Sequence, residues 1–232
     1  MSKKMILVGD QFKEFANEES VLTLTHFRSA YQQDKNINSR IVVGQGLSHD
    51  EVNHWRNSGL NVEAPSNPAS LKVTHKHHLD HVMISEPKKG GAFNYQMDLM
   101  LNDETDRLLD HITSLHVSGM VLIEAARQAS IACTEIEYDF LNREKPSGYT
   151  WTNMNVRFSQ FIFPVPTRIE LEIVERENNE KRFTLSSKVN FIQGDNAVCD
   201  MEMMFDVLPL KLINQIERRS SAKIIRNLTL TD

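Results

Sequence analysis

Apolar residues surround almost the whole helical projection of residues 115–129, and a helix apolar on all sides is enclosed by a protein rather than laid on its surface. Ser118 is a candidate N-cap, and the pattern continues to about Phe140. On either side of this segment the period falls to two. Residues 73–84 alternate in part, and residues 92–101 alternate through Phe93, Tyr95, Met97, Leu99 and Leu101. Residues 149–158 have β character, and residues 168–176 set Ile169, Leu171 and Ile173 against Glu170 and Glu172. Two further strand runs, 183–193 and 197–207, flank Gly194-Asp195-Asn196 and read as a hairpin. Residues 210–225 form an amphipathic helix whose Arg218, Arg219, Lys223 and Arg226 suit solvent or a helix C-terminus.

The first part of the chain differs. A short apolar run at 4–8 precedes a polar helical pattern at 11–18, a mixed apolar segment at 21–31 and a β-rich run at 40–43. Ser48 followed by Glu51 is a capping-box signature for a helix reaching about Asn57, with Gly59 as its stop. Turn-rich Ala64-Pro65-Ser66-Asn67-Pro68 marks a boundary. The expected organisation is therefore a small β/α unit over 1–66, a main domain over 67–210 and a helical tail over 211–232. One enclosed helix among long antiparallel strands has a natural packing, in which a curved sheet wraps the helix. The expected fold class is α+β, a hotdog with a small N-terminal β/α unit. Sheet edges need covering, so two copies pairing side by side are expected.

Composition narrows the function classes. The 232 residues, 40% hydrophobic and 25% charged, describe an ordinary globular chain. A net charge of −5 argues against a nucleic-acid partner. Cys133 and Cys199 lie in apolar runs and read as buried free thiols in a reducing compartment. Residues 5–9 are too short for a signal-peptide core and no apolar run approaches membrane-spanning length, so a cytoplasmic location without membrane contact is expected.

Glu124, Arg127 and Gln128 stand at i, i+3 and i+4, on one stripe of the enclosed helix. Burying such groups without partners costs several kcal/mol, so they need each other or a ligand. Desolvation raises the Glu124 pKa toward the range of a general base, and Arg127 opposes the rise. An ion pair that only orders a dimer interface would use the same residues. His111 and His116 flank the loop entering the helix, where either could activate a hydroxyl, with Asp110 beside His111. His75, His77, His78 and His81 have no cysteine or carboxylate at ligand spacing, so neither a metal nor another cofactor is expected. Arg157, Lys88 and Lys89 are candidate contacts to a phosphate or a carrier protein. Phe158, Phe161 and Phe163 suit core packing or an acyl tunnel.

The run His116-Val117-Ser118-Gly119-Met120-Val121-Leu122-Ile123-Glu124-Ala125-Ala126-Arg127-Gln128 resembles the A-factor biosynthesis hotdog family. Thr74-His75-Lys76, the segment His81-Val82-Met83-Ile84-Ser85 and Leu108-Leu109-Asp110-His111 support the likeness, which extends over about residues 72–207. The resemblance implies an acyltransferase that joins a β-ketoacyl chain, carried as a thioester on acyl-carrier protein or CoA, to the hydroxyl of dihydroxyacetone phosphate. Such a reaction lies on the way to γ-butyrolactone signals. It implies Glu124, His116 and His111 as catalytic residues. Arg127, Gln128, Gly119, Met120, His75, Lys76 and Arg157 are implied in substrate binding. The free N–H groups at the helix start, 118–121, could polarise a thioester carbonyl or hold an anion. Many members carry two hotdog repeats and this sequence shows one, so a site between hotdogs would need a homodimer. The spacing of Gly119, Glu124 and Gln128 is also similar to hotdog β-hydroxyacyl-carrier-protein dehydratases, with His111 near the place of their histidine, although their Gly-His-Phe-Pro-Gly loop is absent. A hotdog thioesterase or dehydratase, and a non-catalytic acyl-binding or partner-binding module, are the competing expectations.

Overall fold

The computed structural model describes residues 4–35, 37, 39–103, 115–140, 146–179 and 182–229. Four short strands open the chain: β1 (Lys4–Val8), β2 (Val21–Thr23), β3 (Arg40–Val43) and β4 (Val62–Glu63). They pair in parallel in the order β2-β1-β3-β4. Helices α1 (Leu24–Gln33) and α2 (His49–Arg56) form the crossovers that parallel pairing requires. Phe27 and Trp55 meet edge to face at 4.9 Å and fill the space between helices and sheet with Leu7, Ile41 and Val52. Ser48 caps α2 by accepting from the Glu51 N–H at 3.2 Å. Glu51 does not close the box. Its carboxylate accepts from Trp55 Nε1 and pairs with Arg28 instead. The polar helix expected at 11–18 is two 3-10 turns, Asp10–Phe12 and Phe15–Asn17. Asp10 accepts from the Thr25 N–H and hydroxyl at the start of α1, which ties the segment to the neighbouring helix rather than to one of its own.

The rest of the chain follows as α3 (Leu71–Thr74), β5 (Lys88–Gly91), β6 (Asn94–Asp98), α4 (Gly119–Glu137), β7 (Ser147–Phe158), β8 (Arg168–Asn179), β9 (Arg182–Gln193), β10 (Asn196–Pro209) and α5 (Leu210–Thr229). The six strands form one antiparallel sheet in the order β5-β6-β8-β9-β10-β7. Gly194, at φ +59, turns the β9–β10 hairpin. The sheet wraps α4. Leu122, Ala125, Ala126, Ala129 and Ala132 of the helix share one core with Ile169, Leu171, Leu185, Val189, Phe191, Met203 and Phe205 of the strands. The alanines let the helix axis approach the sheet, and each fully buried Leu, Ile or Phe contributes about 1.5–3 kcal/mol. This is the α+β hotdog expected from the sequence, with its N-terminal β/α unit packed through Val8, Phe12 and Val21 onto the same core.

Three local expectations are corrected. Residues 73–84 are not a strand. Ser70 caps the single turn of α3, a 3-10 turn follows at Leu79–His81, and only Ile84 makes a bridge, to Leu99. Ser118 occupies the N-cap position of α4, but its hydroxyl makes no capping bond, and the helix ends at Glu137 instead of Phe140. The β character read over residues 149–158 is found as β7, where a bulge opposite Met204 and Phe205 leaves Tyr149 and Trp151 facing inward before it and Val156 after it.

Candidate functional site

Glu124 is the meeting point of four hydrogen bonds. Arg127 grips the carboxylate through Nε to Oε2 at 2.7 Å and through a terminal nitrogen to Oε1 at 2.9 Å. Lys76 Nζ donates to Oε1 at 2.5 Å and Gln128 Nε2 to the same oxygen at 3.0 Å. Only Gln128 is fully interior. Its amide also donates to the His81 carbonyl at 2.9 Å and accepts from the Met83 N–H at 2.9 Å, so it clamps α4 to the chain that follows α3. Glu124 and Arg127 are each 29% exposed, so the trio read as interior from the sequence is one buried amide under a half-buried ion pair. Burial alone would raise the Glu124 pKa. The hydrogen bonds and charges of Arg127, Lys76 and Gln128 outweigh it and hold the group at about 2.

Arg127 and Lys76 line a cavity of about 700 Å³ between α3, α4, the start of β7 and α5. Ile131, Phe140, Trp151, Leu210 and Ile213 supply apolar surface. His75 and Glu135 lie on its wall. Glu135 is only 2% exposed although it sits on the enclosed helix. Its Oε1 accepts from the Tyr149 hydroxyl at 2.8 Å and lies 3.2 Å from His75 Nε2. The His75 and Tyr149 rings meet edge to face at 5.3 Å. His75 is the C-cap of α3 in the left-handed region, at φ 53 and ψ 42. That region is uncommon for a residue other than glycine and carries a backbone cost.

The A-factor biosynthesis hotdog domain matches residues 62–209. The chain belongs to this family. A comparison with curated proteins finds no match. Similar solved structures include a mutant thioesterase of Pseudomonas aeruginosa, 8% identical, with a TM-score of 0.41 over 54% of this chain and 81% of that one. A thioesterase of Haemophilus influenzae is 10% identical, with a TM-score of 0.40 over 56% of this chain and 81% of that one. Overlaps that loose add nothing to the fold assignment, which rests on the strand order and the family match.

In this A-factor-family hotdog the described sequence-derived site residues separate into two groups, with Arg157 apart from both. Glu124, Arg127, Gln128, His75 and Lys76 converge around the cavity and its edge. His116, Gly119 and Met120 are at the entrance of α4, where the His116 ring lies 4.9 Å from that of Phe161 and the Phe158 ring covers the face on which a Gly119 side chain would stand. Met120 is 61% exposed. Eight residues at 1.5 Å rise place Arg127 roughly 12 Å along the helix from Gly119. Arg157, with a side chain 76% exposed, pairs with Asp200 at 2.8 Å near the other end of β7 and does not line the cavity. Lys89 pairs with Glu137 at 2.8 Å. His111 lies outside the described residues. Among the described residues no group of three His, Cys, Asp or Glu side chains stands close enough to hold a metal ion, and no helix is long and apolar enough to cross a membrane. The sequence reading missed Glu135 and Tyr149. Glu135 was legible in principle, since positions 124, 128, 131 and 135 share one stripe of a 3.6-residue helix. Tyr149 had no signal, because its partner is on another element.

Proposed function

We propose that the cavity binds an acyl thioester, delivered on acyl-carrier protein or CoA, and that the protein transfers the acyl group to a hydroxyl acceptor. In its most specific form the donor is a β-ketoacyl thioester, the acceptor dihydroxyacetone phosphate and the pathway butyrolactone-type signal or secondary-metabolite synthesis. The observation that carries this reading is the juxtaposition of an apolar wall with a cationic edge. Ile131, Trp151, Leu210 and Ile213 suit an acyl chain, and Arg127 and Lys76 stand beside them. Two cations around one carboxylate leave a net positive charge at that edge, which suits the phosphate of an acceptor or of a pantetheine carrier. Glu124 orients these cations, and in this arrangement a carboxyl held at about 2 is a weak base.

A second copy completes the assembly in this reading. Among the described residues β7 pairs only with β10, and its outer edge is flanked by exposed Met154, Phe158 and Phe161. A β7–β7 pairing covers that edge and brings His116, Gly119 and Met120 close to the interface, where a carrier arm would enter.

The test is incubation of the purified protein with a β-ketoacyl carrier-protein thioester and dihydroxyacetone phosphate. The expected product is a phosphorylated ester in the mass spectrum. Free acid alone, or an enoyl thioester, identifies a thioesterase or a dehydratase instead. The saturation of Glu124 specifically favours one other reading, a non-catalytic acyl-binding module. That reading stands if a thioester binds and is recovered intact.

A further inference from the structure

We propose that His75 is the general base of this cavity and that Glu135 is its positioning residue, with Tyr149 holding Glu135. The inference rests on the acyl-thioester reading above and assigns the proton transfer within it. Glu124 and Glu135 lie on one stripe of the enclosed helix, and their surroundings differ. Glu124 accepts four hydrogen bonds, two of them from one guanidinium and one from an ammonium, so its charge is already engaged by two cations. Glu135 is buried at 2% exposure and accepts from Tyr149 and His75 through one oxygen. A carboxylate only accepts, so the proton shared at 3.2 Å belongs to His75 Nε2, and in the neutral imidazole this leaves the lone pair on Nδ1. A buried acid fixing the tautomer of a half-exposed imidazole is the arrangement that general-base chemistry on a hydroxyl needs.

The position of the imidazole fits. His75 lines the cavity with a side chain 33% exposed, and Lys76, Arg127 and the apolar residues line the same cavity. Its backbone is held in the left-handed region by N–H bonds of His75 and Lys76 to the Leu71 carbonyl. That conformation turns the chain at the end of α3. In the step, a primary alcohol gives its proton to His75 Nδ1 as its oxygen bonds to the thioester carbonyl carbon. The C–S bond of the tetrahedral intermediate then breaks with the electron pair leaving on sulfur, and the imidazolium returns the proton to that sulfur. Ester and thiol are the products, and His75 ends in its starting tautomer.

Two measurements on the full chain test this. Binding is read from Trp151 fluorescence with a thioether analogue of acyl-CoA, which cannot react. Turnover is read with acyl-CoA and dihydroxyacetone phosphate. The His75→Gln variant should lower kcat by about 100-fold or more while the analogue binds within about threefold of wild type. Glu135→Gln should lower kcat by roughly 10-fold with KM unchanged, because only the orientation of the imidazole is lost. Added imidazole should restore part of the activity of His75→Ala. The proposal is overturned if His75→Gln, or His75→Ala should the former not fold, turns over within threefold of wild type. It is also overturned if His75→Ala loses analogue binding together with activity and imidazole restores neither. Failure of the wild type to bind the analogue or turn over the thioester overturns the acyl-thioester reading itself, and this inference with it.

Discussion

At Glu124 burial and charge pull one carboxyl in opposite directions. Burial favours the neutral form. Arg127, Lys76 and Gln128 favour the anion and prevail, lowering the pKa from 4.5 to about 2. A group whose folded pKa is depressed adds stability that is present above its unfolded value and is lost as the pH falls through the folded one. The window here runs from about 4.5 down to 2. Because the pair is partly exposed, the contribution is on the order of 1–2 kcal/mol after screening. Urea unfolding of wild type and Glu124→Gln should therefore differ by that amount at pH 7, and the gap should narrow by pH 3. A gap unchanged with pH would mean that the carboxylate is not held by its cations. The thiols offer a second check at this scale. Burial pushes Cys133 well above its usual value and Cys199 up to about 12, so both stay protonated, and a thiol reagent should label them only after unfolding. The Glu124–Arg127–Gln128 group was legible because all three lie on one helix at spacings that fix their neighbours. The Lys76 and Tyr149 partners were not, since they are joined to α4 only by the fold.

Among the elements, α4 is the one on which the others depend. It was readable because apolar residues surround its helical projection, and the β9–β10 hairpin was readable because two strand runs flank Gly194-Asp195-Asn196. Residues 73–84 misled because the apolar run Val82-Met83-Ile84 is buried like a strand, while the Met83 N–H bonds to a side chain instead of a strand. That side chain is Gln128, which takes the Met83 N–H at 2.9 Å where a strand neighbour would. Replacing it by leucine keeps the volume and removes the partner. Gln128→Leu should cost about 2 kcal/mol, chiefly for the Met83 N–H left unpaired inside the protein, and guanidinium unfolding measures it. A cost below about 0.5 kcal/mol would show that water replaces the amide. The free edge of β7 bears on assembly. Lysines at Asn153 and Asn155 would face their own copies near the two-fold axis of a β7–β7 pairing, and like charges directly opposite are unfavourable. Asn153→Lys with Asn155→Lys should move the protein from dimer toward monomer in sedimentation equilibrium. If the doubly substituted protein keeps the wild-type mass, β7 is not the pairing edge.

Over the whole molecule, the parallel N-terminal sheet and the hotdog are joined where an open α/β sheet usually holds a ligand. Ligands of such sheets bind beyond the carboxyl ends of the strands, at the point where the strand order reverses. In the order β2-β1-β3-β4 that point lies between β1 and β3. Here the hotdog occupies it. The Gln45 N–H donates to the Pro164 carbonyl and the Gly46 N–H to the Leu101 carbonyl. The buried Gln45 side chain donates to the Leu99 and Val165 carbonyls and accepts from the Leu101 N–H at 2.8 Å. Gly44 permits the approach, because a Cβ there would stand 2.2 Å from the Pro164 carbonyl oxygen. Composition and periodicity show none of this, since a glutamine after a short β-run is ordinary in sequence and acquires its role only when the two units meet. Gln45→Leu leaves the Leu101 N–H and the Leu99 carbonyl without partners at a buried joint and should lower stability by roughly 2–3 kcal/mol. The loss should be local as well as global, with limited proteolysis near residues 64–68 becoming faster. The acyl-thioether analogue should still bind as tightly as to wild type, because the cavity is built from α3, α4, β7 and α5 and none of its wall comes from residues 44–46. If Gln45→Leu weakened binding while the proteolysis rate stayed at the wild-type level, the joint would instead be coupled to the cavity, and the N-terminal unit would have to be counted as part of the site.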